Sequence, residues 1–209
     1  MDKYSLLTDA YFGTGLFENG AGLRQHPRED PANYKDRQGL AYYLNYTGPI
    51  VNAAVDPIFK NDIKRDYNGS TLFQTFLDDC DRTGTDYQDF CKSAALQAKL
   101  YGVAYIIVDN SDELAERRSD AVAGRKLPFL KIVTPAQIKN WAIDRYGRLT
   151  MFQYTETSQV GANAKSTETY TWTQDSWAIG NGDGKATGTH NMNCVPVVQW
   201  LARNTDRKI

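Results

Sequence analysis

The sequence is poor in the residue types that most often bind metals or act as catalytic bases. Three cysteines and two histidines occur in 209 residues. Cys80, Cys91 and Cys194 lack the spacing of a zinc site or a disulfide framework. His26 and His190 have no serine or cysteine nucleophile in a recognisable turn nearby. These shortages argue against a metal-stabilised fold and against catalysis by a histidine base.

Long apolar runs and an excess of charge of one sign are also lacking. No apolar stretch in the sequence approaches the roughly 18 residues of a membrane span, and no hydrophobic leader opens the chain. The net charge is −1, which disfavours a protein whose whole surface binds nucleic-acid phosphates. With an odd number of cysteines, these features predict a cytosolic, reduced protein without membrane association.

The composition is that of a folded protein. Apolar residues make up 41% and charged residues 23% of the chain, close to the values of soluble globular domains. Glycines and charges interrupt residues 1–29 without sustained periodicity, which predicts a flexible N-terminal arm. Residues 30–209 are predicted to form one domain, with a helical part at residues 30–101 and a β-rich part at residues 102–209.

The strongest local pattern is a helix that stops at Gly102 and continues into a buried strand. Thr85 and Gln88 have capping-box spacing, and apolar residues follow at steps of three and four up to Tyr101. Gly102 tolerates the positive φ that ends a helix. Residues 103–108 are β-branched or aromatic without alternation, as in a strand covered on both faces. An ordinary α/β core would show the same joint.

The remaining patterns predict an α+β fold, in which N-terminal helices pack with a mixed or antiparallel sheet and a C-terminal β-meander follows. The expected helices, strands and turns are: helices at residues 31–46, 49–60, 71–81 and 85–101; strands at residues 103–108, 127–133, 149–156, 167–173, 176–179 and 195–201; turns at residues 145–148 and 180–188. Thr134 and Pro135 predict a further short helix that ends near Trp141. The polar run at residues 110–125 predicts a loop or a short surface helix.

One acidic pattern is similar to a calcium-binding loop but lacks its main ligand. Asp79, Asp81, Thr83 and Gly84 match the first half of such a loop. The twelfth position is Phe90, where a bidentate glutamate is required. We therefore expect no calcium site here.

A second acidic pattern suggests a metal-dependent nuclease. Asp109 follows the predicted buried strand, where such an enzyme carries a carboxylate. No carboxylate lies two residues before Lys131 on the next predicted strand, so this pair of strands does not supply a two-carboxylate metal site. We expect no catalytic, metal-binding or cofactor-binding residues, no cofactor and no enzymatic activity.

The order of segments resembles that of the portal, or head-to-tail connector, proteins of tailed bacteriophages. The resemblance covers about residues 34–201 and is carried by these features: a helix pair at residues 34–59 with the motif Tyr-Tyr-Leu-Asn-Tyr and a break at Lys60, a helix that enters a buried strand at residues 76–109, a strand and the pattern Pro135-x-x-Ile138-x-x-Trp141 at residues 127–141, and a last wing strand at residues 195–198. It implies a structural virion protein.

Portal proteins form a ring, usually of twelve subunits, at one vertex of the capsid. The packaging motor drives DNA through the channel of the ring, and neck proteins attach to it. The resemblance implies that this chain is the outer wing region, with Ile209 lying where the channel-lining stem would begin. The implied partners are copies of the chain in a ring, a dodecamer when full length, with capsid, terminase and neck proteins. DNA is expected to pass through the channel without tight binding here, and the expected location is the virion, assembled in the bacterial cytoplasm.

Four aromatic residues are predicted to contribute to subunit contacts, because aromatic side chains are enriched at protein interfaces. These residues are Tyr42, Tyr43, Tyr46 and Trp141. A different class of function stays open, namely an α+β enzyme or ligand-binding domain with a pocket near Asp109 and Trp141. Another neck or capsid component is a third possibility.

Overall fold

The computed structural model describes residues 3–110, 117, 119, 127–159, 165–180, 186–190 and 192–203. Most of the polar run predicted at residues 110–125 and the centre of the turn predicted at residues 180–188 lie outside these residues. The helices are α1 Lys3–Phe12, α2 Pro31–Leu40, α3 Thr47–Val55, α4 Thr71–Asp78 and α5 Tyr87–Tyr101. The strands are β1 Val103–Asp109, β2 Phe129–Val133, β3 Ile138–Ile143, β4 Leu149–Gln159, β5 Lys165–Thr173, β6 Ser176–Ile179, β7 Ala186–Thr189 and β8 Val197–Leu201.

The strands form two antiparallel sheets, and the predicted α+β class is confirmed. One sheet has the order β2-β1-β8, and the other is a meander with the order β3-β4-β5-β6-β7. The sequence placed the last strand in the meander, which is wrong. β8 instead pairs with β1, with Val103 opposite Leu201 and Ile107 opposite Val197. A central strand needs hydrogen-bond partners on both edges, and β8 supplies the second edge of β1.

The joint between α5 and β1 forms as predicted, with one change at its start. The Asp86 carboxylate accepts hydrogen bonds from the backbone N–H groups of Gln88 and Asp89, at 2.8 and 2.9 Å. The helix cap is therefore Asp86 and not Thr85, because a carboxylate accepts these orphan donors more strongly than a hydroxyl does. Gly102 has a φ of 93° and closes the last turn.

Replacing Gly102 should show how much a glycine at this positive-φ position contributes to the stability of the protein. A Cβ at Gly102 would have no atom within 4 Å, so Gly102→Ala changes the backbone energy without a steric clash. We expect the free energy of unfolding to fall by about 1–2 kcal/mol, the cost of holding an L-residue in the left-handed region. Urea titration monitored by tryptophan fluorescence will test this. A Gly102→Asn variant, which tolerates positive φ better, should lose less stability than Gly102→Ala.

Buried side chains lie on both faces of β1, as predicted for residues 103–108. On one face, Ile106 packs with Cys80, Phe90 and Ala94 of the loop before α5 and of α5 itself. The other face packs against the second sheet in one cluster, formed by Tyr105, Ile107, Val133, Phe152, Tyr154, Trp172 and Val195. The first sheet is therefore the middle layer of the fold.

The segment after Thr134 is a strand and not the predicted short helix. The capping pattern itself is present, since the Thr134 N–H donates to Gln137 Oε1 at 2.9 Å. It supports only the single 3-10 turn Pro135–Gln137. Ile138 is extended, with φ −73° and ψ 132°, and pairing with β4 carries the chain through Trp141 as β3. Sheet pairing here overrides a local helix signal.

Part of the turn predicted at residues 180–188 is also a strand. β7 pairs with β6, and Gly188 lies opposite Trp177. A Cβ at Gly188 would lie 2.7 Å from atoms of the Trp177 ring. The glycine that suggested a turn instead leaves room for an indole across the strand pair.

A helix occupies part of the segment predicted to be a loose arm. α1 packs on α3 and α5. The hydroxyls of Thr8 and Tyr101 lie 2.7 Å apart, and the Tyr11 hydroxyl donates to Asn52 Oδ1 at 2.8 Å. The expectation of an irregular segment is wrong for residues 3–12, because tertiary contacts stabilise a helix whose own periodicity is weak. The flexibility of residues 1–29 and the domain boundary at residue 30 stay predictions.

Candidate subunit-contact surface

Four large apolar side chains project from the link between α2 and α3. Leu40 and Tyr42 are each 82% exposed, Leu44 is 58% exposed and Tyr46 is 67% exposed. They occur at every second residue, from the last residue of α2 to the residue before α3. We call this set, Leu40, Tyr42, Leu44 and Tyr46, the hydrophobic stripe. Contiguous apolar surface of this kind is typical of contact sites for other macromolecules.

The residues between the stripe positions hold the segment on α1. The Tyr43 hydroxyl donates to Ala10 O at 2.9 Å, and its ring lies 4.5 Å from that of Phe17. The Asn45 side-chain amide donates to Tyr11 O at 2.7 Å. Tyr43 and Asn45 thus attach the segment to α1, whereas Tyr42 and Leu44 remain exposed.

The stripe exists because α2 ends earlier than predicted. The predicted helix at residues 31–46 would place Leu40, Tyr43 and Leu44 on one face. α2 instead stops at Leu40, and Ala41 is extended, with φ −73° and ψ 135°. Gly20 packs closely against this end of the helix, since a Cβ at Gly20 would lie 2.8 Å from Gln38 O.

The four predicted contact residues are therefore not equivalent. Tyr42 and Tyr46 lie in the stripe, whereas Tyr43 is half-buried and used within the chain. Trp141 is 47% exposed, but it lies in β3, on the edge of the second sheet. Sequence reasoning missed Leu40 and Leu44 as exposed partners. The alternation of large apolar residues from 40 to 46 was the available signal.

The alternative of an enzyme or ligand-binding domain with a pocket near Asp109 and Trp141 stays a prediction. Asp109 is the last residue of β1 in the first sheet, and Trp141 lies in β3 of the second sheet.

A groove of about 390 Å³ runs beside the outer edge of β2, and we call it the β2 groove. It lies between this edge, the loop before α5 and α5 itself. The lining residues are Asp81, Thr83, Thr85, Phe90, Ser93, Phe129, Leu130, Lys131 and Ile132. The groove combines apolar walls with a few hydroxyl groups, a composition suited to a peptide or an apolar side chain.

The calcium-like loop uses its carboxylates to shape its own turn. Asp79 Oδ1 accepts a hydrogen bond from the Gly84 N–H at 2.9 Å. Asp81 accepts from the Thr83 N–H at 2.8 Å and from the Thr83 hydroxyl at 2.7 Å. Burial opposes ionisation of Asp81, but hydrogen bonds from Thr83 and Thr85 outweigh it and lower the pKa of this carboxyl. The acidic pattern is therefore explained by the architecture of the loop.

Cys80 fixes this loop on β2. Its carbonyl oxygen accepts a hydrogen bond from the Leu130 N–H at 2.7 Å, and Arg82 donates to Leu127 O at 2.8 Å. Burial, followed by the charge of Asp81, raises the pKa of the Cys80 thiol to about 12. A thiol with such a pKa stays protonated and is a poor nucleophile at neutral pH.

The fold places a carboxylate next to Lys131 that the residue spacing on the β2 strand does not predict. Glu156 of β4 forms an ion pair with Lys131, and the Lys131 ammonium lies 5.5 Å from the centre of the Tyr170 ring. Burial, with smaller contributions from Glu156 and Glu168, raises the pKa of the Tyr170 hydroxyl to about 12. Because Glu156 is distant in sequence, spacing around Lys131 could not reveal it.

Comparison with protein-family models and with curated proteins gives no match for the chain. The described residues bring no group of three or more His, Cys, Asp or Glu together that could hold a metal ion. Among the helices of these residues, none combines the length and apolar character that crossing a lipid bilayer requires. The hydrophobic stripe and the β2 groove are the surfaces from which a function can be argued.

Proposed function

We propose that this chain is the wing portion of a phage portal protein and acts through subunit packing, without catalysis. Copies form a ring, usually of twelve, at one capsid vertex, where capsid, terminase and neck proteins meet it and DNA passes through the channel. The order of segments along the sequence is the origin of this proposal. The hydrophobic stripe is the structural observation that supports the proposal most, since a ring subunit must bury flanking surface against its neighbours.

The α+β architecture is compatible with the proposal, because the helix that leads into a buried central strand is one of the segments whose order carries the resemblance. The stripe lies in the same helix pair that carries the Tyr-Tyr-Leu-Asn-Tyr motif. Hydrogen bonds from Tyr43 and Asn45 to α1 fix the segment that carries the stripe. The stripe is therefore exposed on a structured segment and not on a loose terminus. Such preorganised apolar surface is suited to assembly.

Assembly measurements test the proposal. In dilute solution the 209-residue chain should be a monomer or a weak, polydisperse oligomer by light scattering. Electron microscopy of the complete gene product should show closed rings with a central hole. DNA binding by the chain should be weak and should fall as salt rises, given a net charge of −1.

Results of two kinds, on assembly and on the chemistry with DNA, would contradict the proposed function. One is a complete gene product that remains monomeric at every accessible concentration. The other is metal-dependent cleavage of DNA that disappears in an Asp109→Ala variant, because that would assign the carboxylate at the end of β1 to catalysis. Tight DNA binding at physiological salt would also point away from a wing region.

A further inference from the structure

The outer edge of β2 is paired at Leu130 and open at Ile132. β2 is an edge strand of its sheet, and the Leu130 N–H points away from β1 and donates to Cys80 O at 2.7 Å. In an antiparallel pair the outward-pointing residues alternate, so the N–H and C=O of Ile132 also point outward. No backbone hydrogen bond to either group occurs in the described part of the chain. An edge that is open at such a position can accept a further strand there.

The β2 groove lies beside this edge and gives an added strand a place for its side chains. Phe90 and Ser93 of α5 form the opposite wall, while Leu130 and Ile132 pack toward α5 from the strand side. An edge strand facing a helix across a groove is the arrangement that binds extended peptides by strand addition. The structure therefore offers main-chain pairing and side-chain contacts at one place.

The link at residues 41–46, which carries most of the hydrophobic stripe, has no helix or strand assigned and begins with an extended residue, Ala41. In the described residues, the backbone groups of Tyr42, Tyr43 and Leu44 form no hydrogen bond with other backbone groups. We propose that residues 41–45 of one copy add as a strand beside the open Ile132 end of the β2 edge in the next copy.

The strand added to the β2 edge comes from a second copy of the chain, because residues 41–45 are tied to α1 of their own chain. Tyr43 and Asn45 tie this segment to α1 through hydrogen bonds to Ala10 and Tyr11, which fixes the segment where it is displayed. The segment and the β2 groove are also different surfaces of one molecule. A contact between two different surfaces is heterologous, the kind that closes rings, so this inference rests on the proposed ring function and specifies its contact.

Area and charge fit the same pairing. The four stripe side chains expose on the order of 500 Å², more than half of the roughly 800 Å² that each partner buries in a standard interface. Residues 78–89 around the groove contain five aspartates and one arginine, a net charge of −4. Residues 24–37 before the segment contain four Lys or Arg and three Asp or Glu, a net charge of +1. The flanks of the two surfaces therefore attract each other.

Disulfide trapping between singly substituted chains tests the pairing directly. The complete gene product is prepared in a Cys194→Ser background, because Cys194 is exposed while Cys80 and Cys91 are buried. Mixing Leu44→Cys chains with Ser93→Cys chains should give a mixed disulfide on mild oxidation. Mixing Leu44→Cys with Gln199→Cys, which lies on β8 at the opposite edge of the sheet, should give at least roughly tenfold less product. Dominant Leu44→Cys homodimers or equal yields from both mixtures would overturn the proposal.

A peptide experiment separates this inference from ring formation. A synthetic peptide of residues 39–47 should slow amide exchange at Ile132 by roughly tenfold or more when added in excess to the 209-residue chain. The same peptide with N-methyl groups at residues 42–45 should give no protection, because it has lost its backbone donors. Equal protection by both peptides, or by neither, would refute strand addition.

Failure of the strand pairing and failure of the ring function give different results. Peptide protection at Ile132 with a complete product that never forms rings would leave the strand pairing intact and remove the portal function. Rings that form without the mixed disulfide between Leu44→Cys and Ser93→Cys chains would keep the ring function and refute this contact.

Discussion

A Phe152→Ala variant should lose about 3–5 kcal/mol of unfolding free energy, the largest effect that we expect from a single substitution. Phe152 is fully buried and lies between the two sheets. Its ring centre is 5.1 Å from that of Tyr105 in β1 and 6.1 Å from that of Tyr154 in β4. The truncation therefore leaves a cavity and also removes an aromatic contact between layers.

Urea unfolding monitored by the four tryptophans measures this loss. Such a loss is a large share of the 5–15 kcal/mol that is typical of the stability of a domain. Met151→Ala is the matched control, because Met151 is the preceding residue of β4 and points to the opposite face. We expect it to lose about 1 kcal/mol or less. Equal losses in both variants would contradict the assignment of Phe152 to the layer between the sheets.

Replacing the centre of the hydrophobic stripe should weaken self-association without weakening the fold. In a Tyr42→Ser, Leu44→Ser double variant, association should lose about 2–3 kcal/mol, which is roughly 30- to 150-fold in Kd. The unfolding free energy of the monomer should change by no more than about 0.5 kcal/mol, since both side chains are exposed. Sedimentation equilibrium at high protein concentration gives the first quantity, and urea unfolding gives the second.

Two further variants show whether the stripe acts specifically. Ile58→Ser is the exposure-matched control, because Ile58 is 66% exposed but lies in the turn after α3. It should leave association unchanged. Tyr43→Phe should weaken the fold without weakening association. It removes the hydrogen bond to Ala10, so the unfolding free energy should fall by about 0.5–1.5 kcal/mol. If Ile58→Ser weakened association as much as the stripe variant, nonspecific apolar contact would be the better explanation.

Short-range chemistry made several elements predictable from the sequence. Asp30 followed by Pro31 is a sequence pattern that predicts a helix start, and the Asp30 carboxylate accepts a hydrogen bond from the Ala32 N–H at 2.8 Å. Gly102 was read as a helix stop and has the positive φ that this role requires. Both are decided by the residues themselves and their immediate neighbours, so no knowledge of distant packing was needed.

The surfaces on which the proposed function depends were decided only by tertiary contacts. The local pattern favoured a helix through Tyr46, but Tyr43 and Asn45 gain hydrogen bonds to α1 only in an extended chain, and that conformation creates the stripe. The open part of the β2 edge, at Ile132, arises because β8, about 90 residues after β1, takes the other edge of β1. The sequence by itself therefore determined where α2 begins and where α5 ends. Long-range pairing decided which backbone edges and side chains stay exposed, because hydrogen-bond partners distant in sequence leave no local signal.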